Sequence, residues 1–299
     1  MESNRNDIYE RVTAQILEAV ERGAGSYQMP WHRTGGDTFA PVNAQSKKPY
    51  RGVNVVSLWA ASEHYGYTSG IWGTYKQWSD LGAQVRKGEK SSPVVFWKFS
   101  EHENGEVSEE EEGTDSRSPK RIMARGYCVF NVAQVDGYNT PETPELSAGE
   151  RIAQAEGFFA ALGADIRHGG ERAYFCPNTD HIQMPVFEVF KNSAAYYAVL
   201  AHEATHWTGA KHRLNRQFGD RFQEEAYAAE ELVAELGAAF LCAELGLANE
   251  PRPDNAAYVA SWIKVLKNDR RAIFTAASRA QEAVDWMRRC QVTEDRAAA

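Results

Sequence analysis

The sequence predicts an α+β protein of two domains, a small mixed α/β domain followed by a mainly helical domain with a small edge sheet. Short helical and strand-like runs alternate up to about residue 138, and long helical periodicities dominate after residue 147. A Pro/Thr/Glu-rich stretch without periodicity lies between them. We therefore predict domains at residues 1–138 and 147–299, joined by a linker at residues 139–146.

Composition excludes several classes of protein. No run of about 18 apolar residues occurs, so we expect neither a membrane span nor a membrane partner. The polar first residues lack the apolar segment of a signal peptide. The four cysteines form no CxxC pair, which favours free, mostly buried thiols in a reducing compartment. These features predict a cytoplasmic location.

The first domain is predicted to contain three helices and a hairpin. Residues 7–23 have helical apolar spacing, Asn54 is the predicted cap of a second helix, and Thr74 caps a short third helix. Residues 94–99 are predicted to form a buried strand, and residues 121–131 form the next strand. The acidic, low-complexity segment at residues 101–119 is the predicted solvated tip of this hairpin.

The second domain is predicted to contain five helices and three short strands. The helices are predicted at residues 147–162, 193–208, 223–245, 258–267 and 270–289. The strands are predicted at residues 165–168, 172–175 and 180–185. Pro185 at the end of the third strand suits an edge strand or a strand terminus. As an edge strand, residues 181–185 could hold an extended peptide by strand addition.

A His-Glu-x-x-His motif lies inside the predicted helix at residues 193–208. Positions i and i+4 share one helix face, so His202 and His206 can bind one zinc ion. The ion would lower the pKa of its water and polarise a carbonyl, while Glu203 takes the water proton and passes it to the leaving amine. Tyr174 or another tyrosine could stabilise the oxyanion. The alternative is a surface helix that carries two histidines by chance.

The third zinc ligand is predicted on the next helix. Glu231 and Glu235 are four residues apart, so Glu231 is the predicted ligand and Glu235 the carboxylate that orients a ligand histidine. Glu230 is the second choice. His212 is the third, because Gly209 and His212 match a longer zinc motif whose downstream Met-turn is missing. A solvated acidic helix face remains the alternative.

The remaining histidines outside the peptide-binding strand lack ligand spacing and are predicted to be surface or packing residues. They are His32, His64, His102 and His168.

The first domain combines aromatic rings with cations, as single-stranded nucleic-acid binders do. Five of the eight tryptophans precede residue 100, in a region whose charge is mildly basic although the whole chain carries a net charge of −8. Bases stack on rings while cations follow phosphates. The alternative is that the rings form the core, as predicted for Trp97. The predicted DNA contacts are Trp31, Lys48, Tyr50, Arg51, Trp72, Lys76, Arg86, Lys87 and Lys90.

The sequence resembles the ArdC-type antirestriction proteins carried by conjugative plasmids, over nearly its whole length. The resemblance rests on short motifs in both halves. They include PW at 30–31, PVN at 41–43, YRGVN at 50–54, WGTYKQ at 72–77, GAQVRKGE at 82–89, HEATH at 202–206, RLNR at 213–216 and residues 227–240. Within these motifs Asn54 and Gln77 are further predicted DNA contacts.

The resemblance implies an N-terminal domain that binds single-stranded DNA and a zincin-like metallopeptidase domain that binds zinc. It also implies a role in protecting DNA that enters a new host from restriction. Two alternatives stay open: a DNA-associated zinc protease that cleaves a specific host protein, and a DNA-coating protein whose metal site is structural or vestigial.

Overall fold

The computed structural model describes residues 3–26, 28–33, 40–100, 121–140, 146–217, 223–251 and 255–297. The helices in these ranges are α1 Ser3–Gly23, α2 Val53–Tyr65, α3 Tyr75–Asp80, α4 Ala148–Ala160, α5 Ser193–Thr208, α6 Gln223–Leu245, α7 Asn255–Asn268 and α8 Ala272–Ala297. The strands are β1 Val42–Asn43, β2 Ile71–Gly73, β3 Gln84–Val85, β4 Ser92–Ser100, β5 Arg121–Asn131, β6 Val135–Asp136, β7 Asp165–His168, β8 Tyr174–Cys176 and β9 His181–Met184. The α+β prediction is confirmed.

The first half is built on a four-stranded sheet of order β1-β2-β5-β4. Strands β4 and β5 form the predicted hairpin, antiparallel from the Ser92–Val129 pair to the Ser100–Arg121 pair. The predicted acidic tip at residues 101–119 lies outside the described residues. Strand β4 is an edge of the sheet.

Buried side chains tie helix α2 to the edge strand β4, among them Ser57, whose hydroxyl donates to the Pro93 carbonyl at 3.0 Å. The predicted cap, Asn54, is wrong: the helix starts after Gly52, whose φ of 55° favours glycine. The Asn54 amide instead donates to the Val95 carbonyl at 2.7 Å and accepts from the Val95 amide at 2.7 Å. The predicted cap Thr74 is confirmed, because its side chain accepts from the Gln77 amide in a capping box.

The second half carries a three-stranded sheet of order β7-β9-β8. The prediction that the strand at residues 180–185 lies at an edge is wrong. Strand β9 is central, parallel to β7 and antiparallel to β8, so its main-chain groups are already paired on both sides. Pro185 follows the strand and does not interrupt it. The strand β8 is an edge of this sheet.

One hydrophobic core joins the two halves. Buried apolar side chains form a continuous cluster that includes Ile8 of α1, Leu236 of α6 and Met287 of α8. The Trp31 ring packs edge-on against Trp262 of α7 at a centroid distance of 6.0 Å. Among the described residues no helix has the length and apolarity that a membrane crossing requires.

The exposure of the aromatic residues reverses two expectations. Trp31 and Trp72 are 0% exposed and belong to the core, so neither ring can stack on a base. Trp97, the predicted core residue, is 45% exposed, and Phe96 is 48% exposed. Along β4, residues 92–95 are buried, and exposure begins at Phe96.

The four cysteines are free, as predicted. Only Cys242 is buried, however, and Cys128 is exposed. Cys176 and Cys290 are half-buried, so the expectation of mostly buried thiols is wrong.

We expect Trp31→Ala to lower the free energy of unfolding by about 3–5 kcal/mol, because it opens a cavity between the two halves. The matched control Trp97→Ala removes a half-exposed ring and should cost about 1 kcal/mol or less. Urea unfolding of the full chain measures both values. Equal losses would contradict the assignment of Trp31 to the core.

Candidate metal centre

Helix α5 presents two imidazoles to one point. Asn192 caps the helix, its side chain accepting from the Ala195 amide at 2.8 Å. His202 and His206, four residues apart, face each other with their Nε2 atoms 3.1 Å apart. Two imidazole nitrogens at this distance need a shared proton or a shared cation between them.

Glu231 of α6 completes the cluster. Its two carboxylate oxygens each lie 3.5 Å from one Nε2 atom, Oε2 from His202 and Oε1 from His206. The three ligand atoms lie within 4.8 Å of one another. Two imidazole nitrogens and a carboxylate oxygen are a donor set that suits zinc and other divalent transition metals. The residues present therefore fit a metal ion.

The close packing of α6 on α5 brings Glu231 within reach. A Cβ atom on Gly237 would meet the Thr205 side chain at 2.6 Å, so only glycine allows this approach of the two helices. The Thr205 hydroxyl is turned to the Ala201 carbonyl, to which it donates at 2.8 Å.

Glu203 lies beside the cluster. It follows His202 directly on α5, is 5% exposed, and lines the same cavity as both histidines. From this position the Glu203 carboxylate can exchange a proton with a water molecule that lies next to the two histidines.

Glu230, the second choice for the third ligand, binds His206 at Nδ1. Its Oε1 accepts from His206 Nδ1 at 3.0 Å, away from the Nε2 side that faces the cluster. Arg216, whose side chain is 1% exposed, donates to both Glu230 oxygens at 2.8 and 2.5 Å. Glu230 and Arg216 therefore orient His206, and the structure does not place Glu230 among the candidate ligands.

Glu235 faces the other ligand histidine. Its Oε2 lies 3.5 Å from His202 Nδ1, a buried nitrogen with no partner in hydrogen-bonding geometry among the described residues. If Nε2 binds a metal, Nδ1 carries the proton and points to this carboxylate. This position is the one predicted for Glu235.

A histidine from the first half of the chain binds the other carboxylate oxygen of Glu235. His32 Nε2 lies 2.6 Å from Glu235 Oε1, and the two side chains are 0% and 4% exposed. The Met29 amide donates to His32 Nδ1 at 2.9 Å, so Nε2 carries the proton and donates to the carboxylate. The expectation that His32 is a surface or packing residue is wrong, because its buried side chain donates to the carboxylate that faces His202. The two partners are 203 positions apart in the sequence.

His212, the third choice, lies outside the cluster. Its side chain is 62% exposed and pairs with Asp180 at 3.1 Å. Arg213 also binds Asp180, and its hydrogen bonds lower the pKa of that carboxyl. The loop after α5 therefore turns His212 toward the sheet and away from the candidate ligands.

The buried carboxylates and the ligand histidines shift each other's pKa values. Burial raises the pKa of Glu231, but hydrogen bonds from His202 and His206 outweigh it and hold this pKa far below the usual range. Burial lowers the pKa of His206, yet its bonds to Glu230 and Glu231 raise it to about 10. The unliganded cluster therefore holds a proton that a metal ion would displace.

The cluster opens into a cavity of about 540 Å³. Strand β8 contributes Tyr174 and Phe175 to its wall, and α6 contributes Tyr227. The Tyr227 hydroxyl lies 3.1 Å from that of Tyr258, which also lines the cavity. Tyr227 is not among the predicted site residues, although its spacing of four residues before Glu231 places both side chains on one helix face.

Some of the predicted DNA contacts meet in one groove of the first half. The groove lies between residues 48–54, strand β4 and helix α8. The predicted contacts that line it are Lys48, Tyr50, Arg51, Asn54 and Gln77.

The other predicted cations lie outside this groove. Lys76 is 82% exposed and pairs with Asp80, four residues on. Arg86 pairs with Glu89 at 3.0 Å and with Asp136 at 3.3 Å. Lys87 and Lys90 are exposed at the adjacent turn. These four residues do not share one site with the residues of the groove.

We expect His32→Ala to weaken Zn²⁺ binding about 10–100-fold, because Glu235 loses the donor that orients it toward His202. His32→Gln should restore part of the affinity, since an amide N–H can replace the lost donor. Competition titration against a chelating indicator measures the dissociation constant. Exposed His64 provides the control His64→Ala, and Glu231→Ala should lose the bound metal.

A merely structural role of His32 would give a different result. The metal-free His32→Ala protein would then unfold at a lower temperature while its Zn²⁺ affinity stayed that of the unmodified chain.

Comparison with known proteins identifies both halves of the chain. A family model for the N-terminal domain of the anti-restriction factor ArdC matches residues 6–130. A family model for a zincin-like metallopeptidase matches residues 153–279. The two-domain architecture is therefore confirmed, whereas the boundaries at 138 and 147 stay a prediction.

Relatives match over nearly the whole chain. An uncharacterized protein of Sinorhizobium fredii, y4eC, is 56% identical over 94% of this chain and 91% of its own length. Two Escherichia coli proteins named DNA primase TraC are 36% and 35% identical over 95% of this chain, which spans only 27% and 20% of their lengths.

Two solved structures of one protein share the fold. The metal-free crystal structure of the antirestriction protein ArdC from plasmid R388 is 41% identical, with a TM-score of 0.77 over 96% of this chain and 98% of that one. Its Mn(II)-bound crystal structure has a TM-score of 0.73 over 94% of this chain and 97% of that one. Identity and coverage at this level show that the chain belongs to the ArdC family of antirestriction proteins.

Proposed function

We propose that this chain binds single-stranded DNA and protects DNA entering a new host cell from restriction, while carrying a zinc metallopeptidase site. The observation that carries the proposal is the 41% identity to an antirestriction protein across 96% of this chain, both domains included. The cytoplasm, where incoming DNA meets restriction enzymes, is the proposed location.

Single-stranded DNA is the proposed partner of the first domain. Exposed cations and rings are available there: Lys48 and Arg51 are exposed, and Phe96 is 48% exposed. Rings that stack on bases need unpaired bases, which a duplex does not offer. The relatives named DNA primase TraC, although much longer, contain a region similar to this whole chain.

Zinc is the proposed metal of the second domain, held by His202, His206 and Glu231. When bound, the ion supplies Lewis acidity for the attack of water on a carbonyl. Glu203, buried beside the cluster, takes the proton of the attacking water and delivers it to the leaving amine. Glu230 and Glu235 hold the two imidazoles in place from their Nδ1 sides.

An extended peptide is the substrate form that suits the cavity. Strand β8 lies at the edge of its sheet and lines the cavity wall, so a peptide could pair with it and pass the metal ligands. Tyr227, whose hydroxyl points to Tyr258 at the cavity, is the proposed donor to the oxyanion.

The second candidate function is a DNA-associated protease that cleaves a specific host protein. The observation in its favour is the open cavity of about 540 Å³ beside a buried Glu203. A DNA-coating protein with a structural metal site would not need either feature. A substitution of Glu203 therefore distinguishes protection through DNA binding from protection through proteolysis.

We expect Glu203→Gln to lower peptide hydrolysis at least about 100-fold, because the amide cannot take the water proton. Zn²⁺ content and affinity for single-stranded DNA should stay unchanged. Metal analysis, peptidase assays on host proteins and DNA binding measure the three properties, with exposed Glu188→Gln as the control. Retained hydrolysis would contradict the role of Glu203.

The same variant decides between the candidate functions in cells. Transfer of an unmethylated plasmid into hosts with and without a restriction system measures protection. Protection that survives Glu203→Gln supports the DNA-binding mechanism, and protection lost with it supports the protease.

We expect the full chain to bind single-stranded DNA more tightly than a duplex of equal length. The logarithm of the affinity should fall linearly with the logarithm of salt concentration, with a slope of about −0.7 for each neutralised phosphate. Fluorescence anisotropy of a labelled oligonucleotide across a salt series measures both properties. Equal affinity for the two forms, or no salt dependence, would refute the proposed partner.

A further inference from the structure

We propose that single-stranded DNA lies in the groove between strand β4 and helix α8, with bases stacked on Phe96 and Tyr127 and phosphates beside Lys48 and Arg125. This inference rests on the proposed DNA binding and locates it. The groove has a volume of about 930 Å³, enough for several nucleotides' bases, and both domains contribute to its walls.

Three rings form a row that starts with Tyr50 and Phe96 in the groove and continues to Tyr127 on strand β5 beside it. The Phe96 ring lies 6.4 Å from that of Tyr50 and 5.5 Å from that of Tyr127. Phe96 and Tyr127 are 48% and 38% exposed, whereas Tyr50 is 6% exposed and forms the floor. Large rings that stay half-exposed on a sheet are available to a partner with flat, apolar faces.

The strand register places the rings and one cation on the same face. Val94 pairs with Tyr127 and Phe96 pairs with Arg125, and residues two apart on a strand share a face. The Arg125 guanidinium lies 5.2 Å from the Tyr127 ring centroid. Because the guanidinium lies over the ring, a base that stacks on this face of Tyr127 would displace it and leave the cation free to pair with a phosphate.

Charge divides the groove into two sides. Lys48 is exposed on one wall, while Glu282 and Asp285 of α8 lie on the opposite wall. Arg51 forms an ion pair with Asp285 across the groove. The acidic wall repels phosphates, so the backbone of the strand follows the side of Lys48 and Arg125, and the carboxylates face the amino groups of the bases.

The double variant Phe96→Ala/Tyr127→Ala tests the groove in the full chain. Anisotropy of a labelled oligothymidine should show at least about tenfold weaker binding, since each stacked base contributes about five-fold or more. Tyr75→Ala is the matched control, because Tyr75 is 53% exposed on α3 outside the groove. Its affinity should change less than about twofold.

Three further variants separate stacking from other effects. Phe96→Leu keeps an apolar side chain but has no aromatic face, so it should weaken binding, whereas Phe96→Trp should preserve it. Arg125→Ala should weaken binding and reduce the salt slope by about 0.7, while the ring variants leave this slope unchanged. Unchanged Zn²⁺ affinity confirms that each variant is folded.

The outcomes distinguish the groove from the proposed function. An unmodified chain that does not bind the oligonucleotide overturns the DNA-binding proposal as a whole. An unmodified chain that binds, with Phe96→Ala/Tyr127→Ala binding equally well, overturns the groove alone. A ring variant that changes only the self-association of the chain, measured by sedimentation, also overturns the groove, because the rings would then pack against a second copy.

Discussion

The hydrogen bond between His32 and Glu235 connects the two halves of the protein at the metal centre. His32 is held by the Met29 amide, and Glu235 faces His202 on the other side. Because the pair is buried, loss of either partner leaves a polar group without compensation in a low-dielectric interior. The geometry of the candidate ligands therefore depends on a segment of the first domain, which Asn249 in turn anchors by donating to the Trp31 carbonyl. A second domain produced alone would lack this part of its own site.

The elements that carry the site were predictable because their signals are local. Helix α5 has the predicted bounds, and α6 ends before Gly246, whose φ of 65° suits a helix terminus. The spacing of the two histidines placed them on one face. The choice between Glu230 and Glu231 depends on how the two helices pack, since neighbouring residues on a helix point about 100° apart. The rotation of α6 against α5 turns Glu231 to the Nε2 atoms and Glu230 to Nδ1 of His206.

Other features depend on contacts that no local pattern encodes. His32 stands in an irregular stretch and meets its partner only through the packing of the segment on the second domain. The same packing buries Trp31, although polar and glycine-rich neighbours made it look accessible. Conversely, the apolar run of β4 suggested burial for Trp97, but exposure already begins at Phe96, one residue before it. The order β7-β9-β8 could not be read from Pro185, which only marks where a strand stops.

The close approach of Gly237 and Thr205 limits which residues these two positions can hold during evolution. A glycine in the middle of a 23-residue helix lowers helix stability by about 1 kcal/mol relative to alanine. The position carries no functional group, yet its missing side chain sets the separation of the helices that bear the ligands. A larger residue at 237 would displace Glu231 without altering any ligand, unless position 205 became smaller at the same time. In homologous chains the two positions should therefore vary as a pair, and their combined volume should be more constrained than either residue's identity.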